Sequence, residues 1–409
     1  MNKKMIYLLL LSLVGIVSLA GEWKPVGKPL ELTFHAHDIK LLSWKGSLYL
    51  AFTQDLPTGP YPFVQRLTLL KWNRLKWVQV EKWNDLQVGS RICLAPWKEK
   101  FYVVIEKNDM SGTPYAGHCL EYLQLVQWDG QKWSKSGKPF IIGSKSTNLL
   151  SCLNIDHGIP YVGLLKPRGA LSEGYDGSLI KYMDHSWKYV GAPYFFKHVQ
   201  SGLSLAFLKG NPLLACNKGY LNHMPYVFKF NGRKWHSYPI LKNDQDTSNA
   251  LVKFHGQLYL FLYVVNGFDL DTTNEILLMK YQKKKWIRIS SVAVPKNPNS
   301  GGVFSFIDSL GNIYIAFSDE QEKATVLRFN GVTWNYFGKP CFSTTAAWPL
   351  SFAEYKHKLY IAFADNRGED TGQNNGKRIE VMEYETSVKF KGLKQNVRNM
   401  TLVENINNP

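Results

Sequence analysis

Disulfide bonds cannot organise this chain, because its 409 residues contain five cysteines, Cys93, Cys119, Cys152, Cys216 and Cys341, an odd and widely spaced set. A bridge from Cys93 to Cys152 or Cys119 is open in an oxidising compartment, but a dense framework is excluded. No pair of cysteines has zinc-site spacing, and there is no glycine-rich phosphate loop or nucleophile motif. His35 and His37 alternate beside Asp38 without a third ligand at a recognisable spacing, so no metal site and no cofactor are expected. Helical periodicity is missing after residue 20, and no later apolar run approaches the roughly 20 residues a membrane-spanning helix needs. Acidic residues are scarce, with 32 Asp and Glu against 49 Lys and Arg, a formal charge of +17. That excess favours contact with polyanions and says nothing of fold.

What is abundant is aromatic and turn-forming. Aromatic residues make up 14% of the chain and hydrophobic residues 45%, with 32 Gly and 19 Pro, which excludes disorder and suits a turn-rich fold with a large core. At the start, Lys3 and Lys4 precede an apolar run from Met5 to Leu19, and Ser18-Leu19-Ala20 places small residues where a signal peptidase reads them. Residues 1–20 therefore read as a signal peptide cleaved near Ala20, and the mature chain is expected to be secreted or periplasmic.

A repeat runs through the rest. Trp77, Trp133, Trp187, Trp235, Trp286 and Trp334 follow one another at 56, 54, 48, 51 and 48 residues, and each has an aromatic five residues before it: Trp72, Trp128, Tyr182, Phe230, Tyr281 and Phe329. Turn formers such as Asp129-Gly130, Asn231-Gly232 and Asn330-Gly331 lie between them, so each unit predicts a tight hairpin closed by an aromatic cross-strand pair. Upstream of the hairpins recurs a second strand: LYLAFTQ (48–54), FYVVIEK (101–107), PYVGLLK (160–166), PLLACNK (212–218), LYLFLYV (258–264), IYIAFSD (313–319) and LYIAFAD (359–365). Another apolar stretch and a short turn precede each. Four strands per unit, repeated seven times, predict an all-β seven-bladed β-propeller of four-stranded antiparallel blades over residues 21–394, followed by a polar tail, 395–409.

The hairpins WDGQKW (128–133) and FNGVTW (329–334) resemble the Asp-box hairpins of sialidase-like propellers, and the period is similar to kelch repeats of the galactose-oxidase type. The resemblance covers nearly all of the mature chain and implies the fold. It does not carry sialidase chemistry over, since no Arg-Ile-Pro tripeptide occurs here.

In such a blade the turns joining strands one to two and three to four share one face, and these are tight. Irregular loops on the other face, 53–64, 106–119, 166–178, 217–224, 266–275 and 365–378, are expected to carry the ligand site. They supply Tyr61, Tyr115, His118, Tyr175, Asp176, Tyr220, Asp269, Asp365 and Arg367 as candidate binding residues. No catalytic residue is singled out. The loops are rich in Asp and Glu, whereas the tight turns are rich in Lys and Arg, with Lys283, Lys284 and Lys285 a candidate polyanion contact. The expected function is a binding module for glycan or protein acting as a monomer, the alternative being a propeller-type carbohydrate-active hydrolase or lyase.

One Trp is missing from the repeat. Lys389 stands five residues after Tyr384, but Trp23 lies 54 residues before Trp77 and opens a segment matching Trp334 to Pro340, with Gly at +4 and Pro at +6. The N-terminal strand, residues 22–28, is therefore expected to close the ring as the outer strand of the last blade.

Overall fold

The structure is a computed structural model that describes residues 21–386 apart from 34–35, 56–64, 81–86, 89–91, 110–119, 145–148, 169–173, 200–202, 219–223, 241–245, 265–273, 295–303 and 366–377. Among the described residues every regular element is a β-strand or turn.

After β1 (Glu22–Pro25) and β2 (Leu30–Glu31), the chain runs through antiparallel meanders in sequence order. The first is β3 (Ala36–Trp44), β4 (Ser47–Asp55), β5 (Gln65–Trp72) and β6 (Trp77–Gln79), with β7 (Gln87–Val88) added on β5. The second is β8 (Ile92–Trp97), β9 (Lys100–Asp109), β10 (Leu120–Trp128) and β11 (Trp133–Ser144). Then come β12 (Leu149–Asp156), β13 (Ile159–Pro167), β14 (Tyr175–Met183) and β15 (Ser186–Tyr189), a short β16 (Phe196–Val199), and β17 (Ser204–Leu208), β18 (Asn211–Lys218), β19 (Met224–Phe230) and β20 (Trp235–Pro239). Here the structure departs from separate sheets, because β16 pairs with both β14 and β18 and fuses two meanders into one nine-stranded sheet. Two further meanders follow, β21 (Asp246–Phe254) to β22 (Gln257–Val264), β23 (Asn274–Gln282) and β24 (Lys285–Val294), and β25 (Phe304–Ile307) to β26 (Ile313–Ser318), β27 (Ala324–Phe329) and β28 (Trp334–Tyr336). The last, β29 (Ala347–Tyr355), β30 (Lys358–Asp365) and β31 (Arg378–Glu385), has only three strands of its own.

Its fourth is β1. Trp23 lies opposite Tyr384 in the antiparallel register Glu22↔Glu385 to Pro25↔Met382, as the spacing of Trp23 predicts. The first strands of successive meanders also touch in order, β3 to β8, β12, β17, β21, β25 and β29, and β29 touches β3 again.

The hydrophobic core sits between sheets rather than inside one. Leu48 and Leu50 of β4 share a cluster with Tyr360 and Ala362 of β30, and Tyr314 and Ala316 of β26 share one with Ile361 and Phe363. The repeated aromatic pairs close each hairpin, with ring centroids at 5.3 Å for Trp72–Trp77, 5.1 Å for Trp128–Trp133 and 5.2 Å for Phe329–Trp334. Asn73, Asp129, Asn231 and Asn330 explain the turns: each Oδ1 accepts two backbone N–H groups from the residues two and three positions on, at 2.8–3.0 Å. Those two donors hold the Asp129 carboxyl below its ordinary range.

The same tryptophans tie one sheet to the next. The Nε1 of Trp77 donates to the Val26 carbonyl at 3.2 Å, that of Trp235 to Val190 at 2.8 Å and that of Trp23 to Phe337 at 3.0 Å. Each acceptor is followed by a glycine of positive φ, Gly27, Gly191 or Gly338; at Gly191 and Gly338 the donating indole lies almost on the glycine backbone, and at Gly27 the ring of Trp72 does. A Cβ on Gly338 would meet Trp23 Cδ1 and Nε1 at 2.9 Å, with φ at +86°. Gly338→Ala is therefore expected to cost about 2–4 kcal/mol, combining left-handed strain with overpacking. Urea denaturation checks this, and an unchanged midpoint would show that the indole can move aside.

Candidate functional site

Each second strand runs to the irregular-loop face, and near that end polar residues enter the core in most of them. In the seven strands the sixth position of the recurring segment holds Thr53, Glu106, Leu165, Asn217, Tyr263, Ser318 and Ala364. Thr53 and Asn217 are fully buried and Glu106 is 4% exposed, amid strands otherwise built from aliphatic and aromatic residues. Burying such groups costs about 1–3 kcal/mol each unless hydrogen bonds offset it. Some bonds are present: Asn249 Nδ2 donates to Asn217 Oδ1 at 3.3 Å, Ser318 Oγ to the Ala347 carbonyl at 2.6 Å, and Asn274 Nδ2 to the Tyr263 hydroxyl. Thr53 Oγ1 and the Oδ1 atoms of Asn249 and Asn274 have no partner among the described residues.

Buried carboxylates gather at the same end. Besides Glu106, these are Asp319 at 7% exposure and Glu380, whose Oε1 lies 2.7 Å from Arg378 Nη2. Asp319 is committed to its own turn, accepting the amides of Gln321 and Lys323 at 2.9 and 3.0 Å and the Thr325 hydroxyl at 3.0 Å. Beside it a cavity of about 250 Å³ is lined by Phe317, Tyr336 and Cys341. The Cys341 thiol donates to Asp319, which pushes its pKa up and keeps it a poor nucleophile.

Two of the sequence-predicted site residues, Tyr175 and Asp176, lie at the start of β14 on this face. Asp176 is the centre of a charged cluster: Oδ1 accepts from Arg168 Nη1 at 3.3 Å and Oδ2 from Lys197 Nζ at 2.7 Å. Arg168 Nη1 is also 3.0 Å from His198 Nε2. A guanidinium only donates, so the ring nitrogen is the acceptor of that contact. Lys166 lies 5.1 Å above the Tyr194 ring nearby, so among the described residues of this cluster cations outnumber the one carboxylate. Arg168, Lys197 and His198 were not candidates from sequence, because nothing in the repeat signals β16, which delivers two of them. Asp365 ends β30 opposite Arg378 in the ladder. Tyr61, Tyr115, His118, Tyr220, Asp269 and Arg367 lie outside the described residues, as do His35 and Cys119.

The Cys152 thiol is free rather than bonded to Cys93, and burial pushes Cys152 and Cys216 up to about 12. A raised folded-state pKa favours the neutral thiol, so this contribution to stability is complete below the ordinary value of 9.0 and is lost as pH rises toward 12. Both thiols are expected to resist alkylation at pH 8 in the native protein and to react once unfolded; peptide mapping after iodoacetamide treatment checks this, and native labelling of Cys152 would contradict it.

A second cavity, about 290 Å³, opens on the opposite, tight-turn face between Asp308, Glu354, Tyr384 and Phe337. Its carboxylates are already engaged. Asp308 accepts the amides of Leu310 and Asn312 at 3.0 and 2.8 Å, and Glu354 accepts the Ser309 amide at 2.6 Å, joining adjacent sheets.

No protein-family model matches the chain, and no curated protein matches it in sequence. Solved structures similar to it include the sialidase of Trypanosoma rangeli in complex with sialic acid, at 9% identity and a TM-score of 0.46, covering 90% of this chain and 59% of the other. The intramolecular trans-sialidase of Ruminococcus gnavus in complex with oseltamivir carboxylate is similar at 12% identity and a TM-score of 0.42, covering 74% and 94%. The α-L-arabinofuranosidase of Fusarium graminearum in complex with an iminosugar inhibitor is similar at 12% identity and a TM-score of 0.48, covering 88% and 98%. The chain thus spans about three-fifths of the length of the first of these.

Proposed function

We propose that the mature chain is an exported seven-bladed β-propeller whose irregular-loop face takes a glycan and hydrolyses a glycosidic bond there. The observation that carries this reading is the polar insertion at the loop-face ends of the second strands, with Glu106 the carboxylate among them. A fold stabilised by packing alone gains nothing from those groups, and a carboxylic acid held away from bulk water is what general acid catalysis on a glycosidic oxygen requires. Glycan binding without turnover is the second reading, supported by the Arg168, Asp176, Lys197 and His198 cluster, whose excess of cations suits a sugar bearing a carboxylate.

A glycan array read in parallel with a panel of chromogenic aryl glycosides and reducing-sugar release from polysaccharides tests both. Turnover of any glycoside supports hydrolysis. Binding with no turnover across the panel supports the second reading, and neither binding nor turnover overturns the carbohydrate assignment.

A further inference from the structure

We propose that the tight-turn face docks on an anionic lipid surface. The proposal stands apart from the carbohydrate reading, because it concerns the opposite face.

The turns between first and second strands are tight and need left-handed backbone, where Asn, Asp and Gly are the favoured residues. In six of the seven the first such position holds a cation or a histidine instead: Lys45, Lys98, His157, Lys209, His255 and Lys356, all with φ between 44° and 53°. The third-to-fourth turn of the fifth meander repeats this with Lys283 and Lys284, at φ 49° and 64°. Three of the lysines have a local reason to be there, lying over the preceding ring: Lys45 over Trp44, Lys98 over Trp97 and Lys356 over Tyr355, at 4.8, 5.9 and 5.2 Å. Lys209, Lys283 and Lys284 show no such ring contact, and they are exposed. Backbone strain is thus accepted repeatedly to hold positive charge at turn tips.

These turns lie side by side. The Trp44 Nε1 donates to the Lys98 carbonyl of the next turn at 2.7 Å, the ideal Cβ of Gly158 is 3.3 Å from Trp97 Nε1, and that of Gly311 is 3.0 Å from Phe254.

Charge alone would suit any polyanion, but three large apolar side chains project from other turns of the same face. Leu75 is 84% exposed, Val332 81% and Leu310 79%. The hydrogen bonds to Asn73 and Asn330 fix Leu75 and Val332 at equivalent tips, where the corresponding turns carry Gln131 and Arg233. Arg74 and Lys76 flank Leu75. A polysaccharide or nucleic acid has no use for an exposed leucine between two cations, whereas a bilayer interface takes the leucine into its acyl boundary and the cations at its head groups.

The test is partitioning of the mature chain onto vesicles of phosphatidylcholine with an equal part of phosphatidylglycerol, against phosphatidylcholine alone, at low and near-physiological salt, with heparin and double-stranded DNA retention alongside. Wild type is expected to bind the anionic vesicles, weakly or not at all the neutral ones, and less as salt rises. Combined Lys209→Gln, Lys283→Gln and Lys284→Gln is expected to lower the partition coefficient by about 100-fold. Combined Leu75→Ser, Leu310→Ser and Val332→Ser is expected to lower it by about 10-fold or more without changing heparin retention. Thermal melting confirms that each variant is folded, and the wild-type comparison of the two vesicle types decides independently of any variant. Failure of wild type to prefer anionic vesicles, or heparin and DNA retention with indifference to the apolar changes, would overturn the lipid assignment.

Discussion

Removal of residues 21–30 is expected to promote aggregation, and Trp23→Ala alone is expected to cost about 3–5 kcal/mol of stability. Trp23 is only 8% exposed and sits among three rings: edge-on to Tyr384 at 5.4 Å, stacked on Phe342 at 5.0 Å and edge-on to Phe337 at 6.2 Å. Its indole donates to the Phe337 carbonyl, joining the last sheet to the one before it. Around it the first strand is held by the Val26 amide on the Val381 carbonyl at 2.8 Å and the Gly21 amide on the Tyr384 hydroxyl at 3.1 Å. The ion pair of Lys24 with Glu385 at 2.8 Å adds little, because both side chains are close to half exposed. Without β1 the long strand β31 becomes an edge with unpaired amides and carbonyls, and the apolar surface under Trp23 is open to water. Size-exclusion chromatography and urea denaturation read the outcome. A truncated chain that elutes like the wild type and keeps its urea midpoint would show that β1 is dispensable.

That prediction could be framed from sequence because tryptophan spacing is a strict signal. A five-residue aromatic offset needs a tight hairpin, and the absence of Trp after Tyr384 leaves a vacancy that Trp23 fits. The sheets, the second strands and the turn residues were legible for the same reason: cross-strand geometry repeats, so its residues repeat. Two features were less visible. The strand β16 has one ladder partner on β18, Val199 with Lys218, and two on β14, and so short an element has no periodicity of its own. Lys197 and His198 therefore meet Arg168 and Asp176 without any sequence signal. The polar insertion was in plain sight, since Thr53, Glu106, Asn217 and Ser318 occupy one column of the aligned second strands. It is overlooked when those segments are read only as apolar runs, because a single polar residue near a strand end looks like the beginning of a loop. Burial is what distinguishes the two.

If the chain hydrolyses glycosides with Glu106 as the general acid, Glu106→Gln is expected to lower kcat by about 10²–10⁴-fold while glycan affinity stays within a few-fold of wild type. Glu106 faces Leu123 in the β9–β10 ladder, beside the fully buried Val103, Val104 and Ile105 and three residues before the strand ends at Asp109. Gln matches Glu in shape and keeps hydrogen-bonding capacity, so packing is retained and only the transferable proton is removed. Asp176→Asn provides the contrast. It leaves Arg168 and Lys197 without their carboxylate, so it is expected to change affinity for acidic sugars, read in the array as altered Kd, with little effect on kcat. An unaltered kcat in Glu106→Gln would remove this carboxylate from the chemistry and leave Glu380, buried and paired with Arg378 on β31, as the next carboxylate to test. A parallel loss of thermal stability in Glu106→Gln would instead assign Glu106 to holding the loop-face end of β9 together.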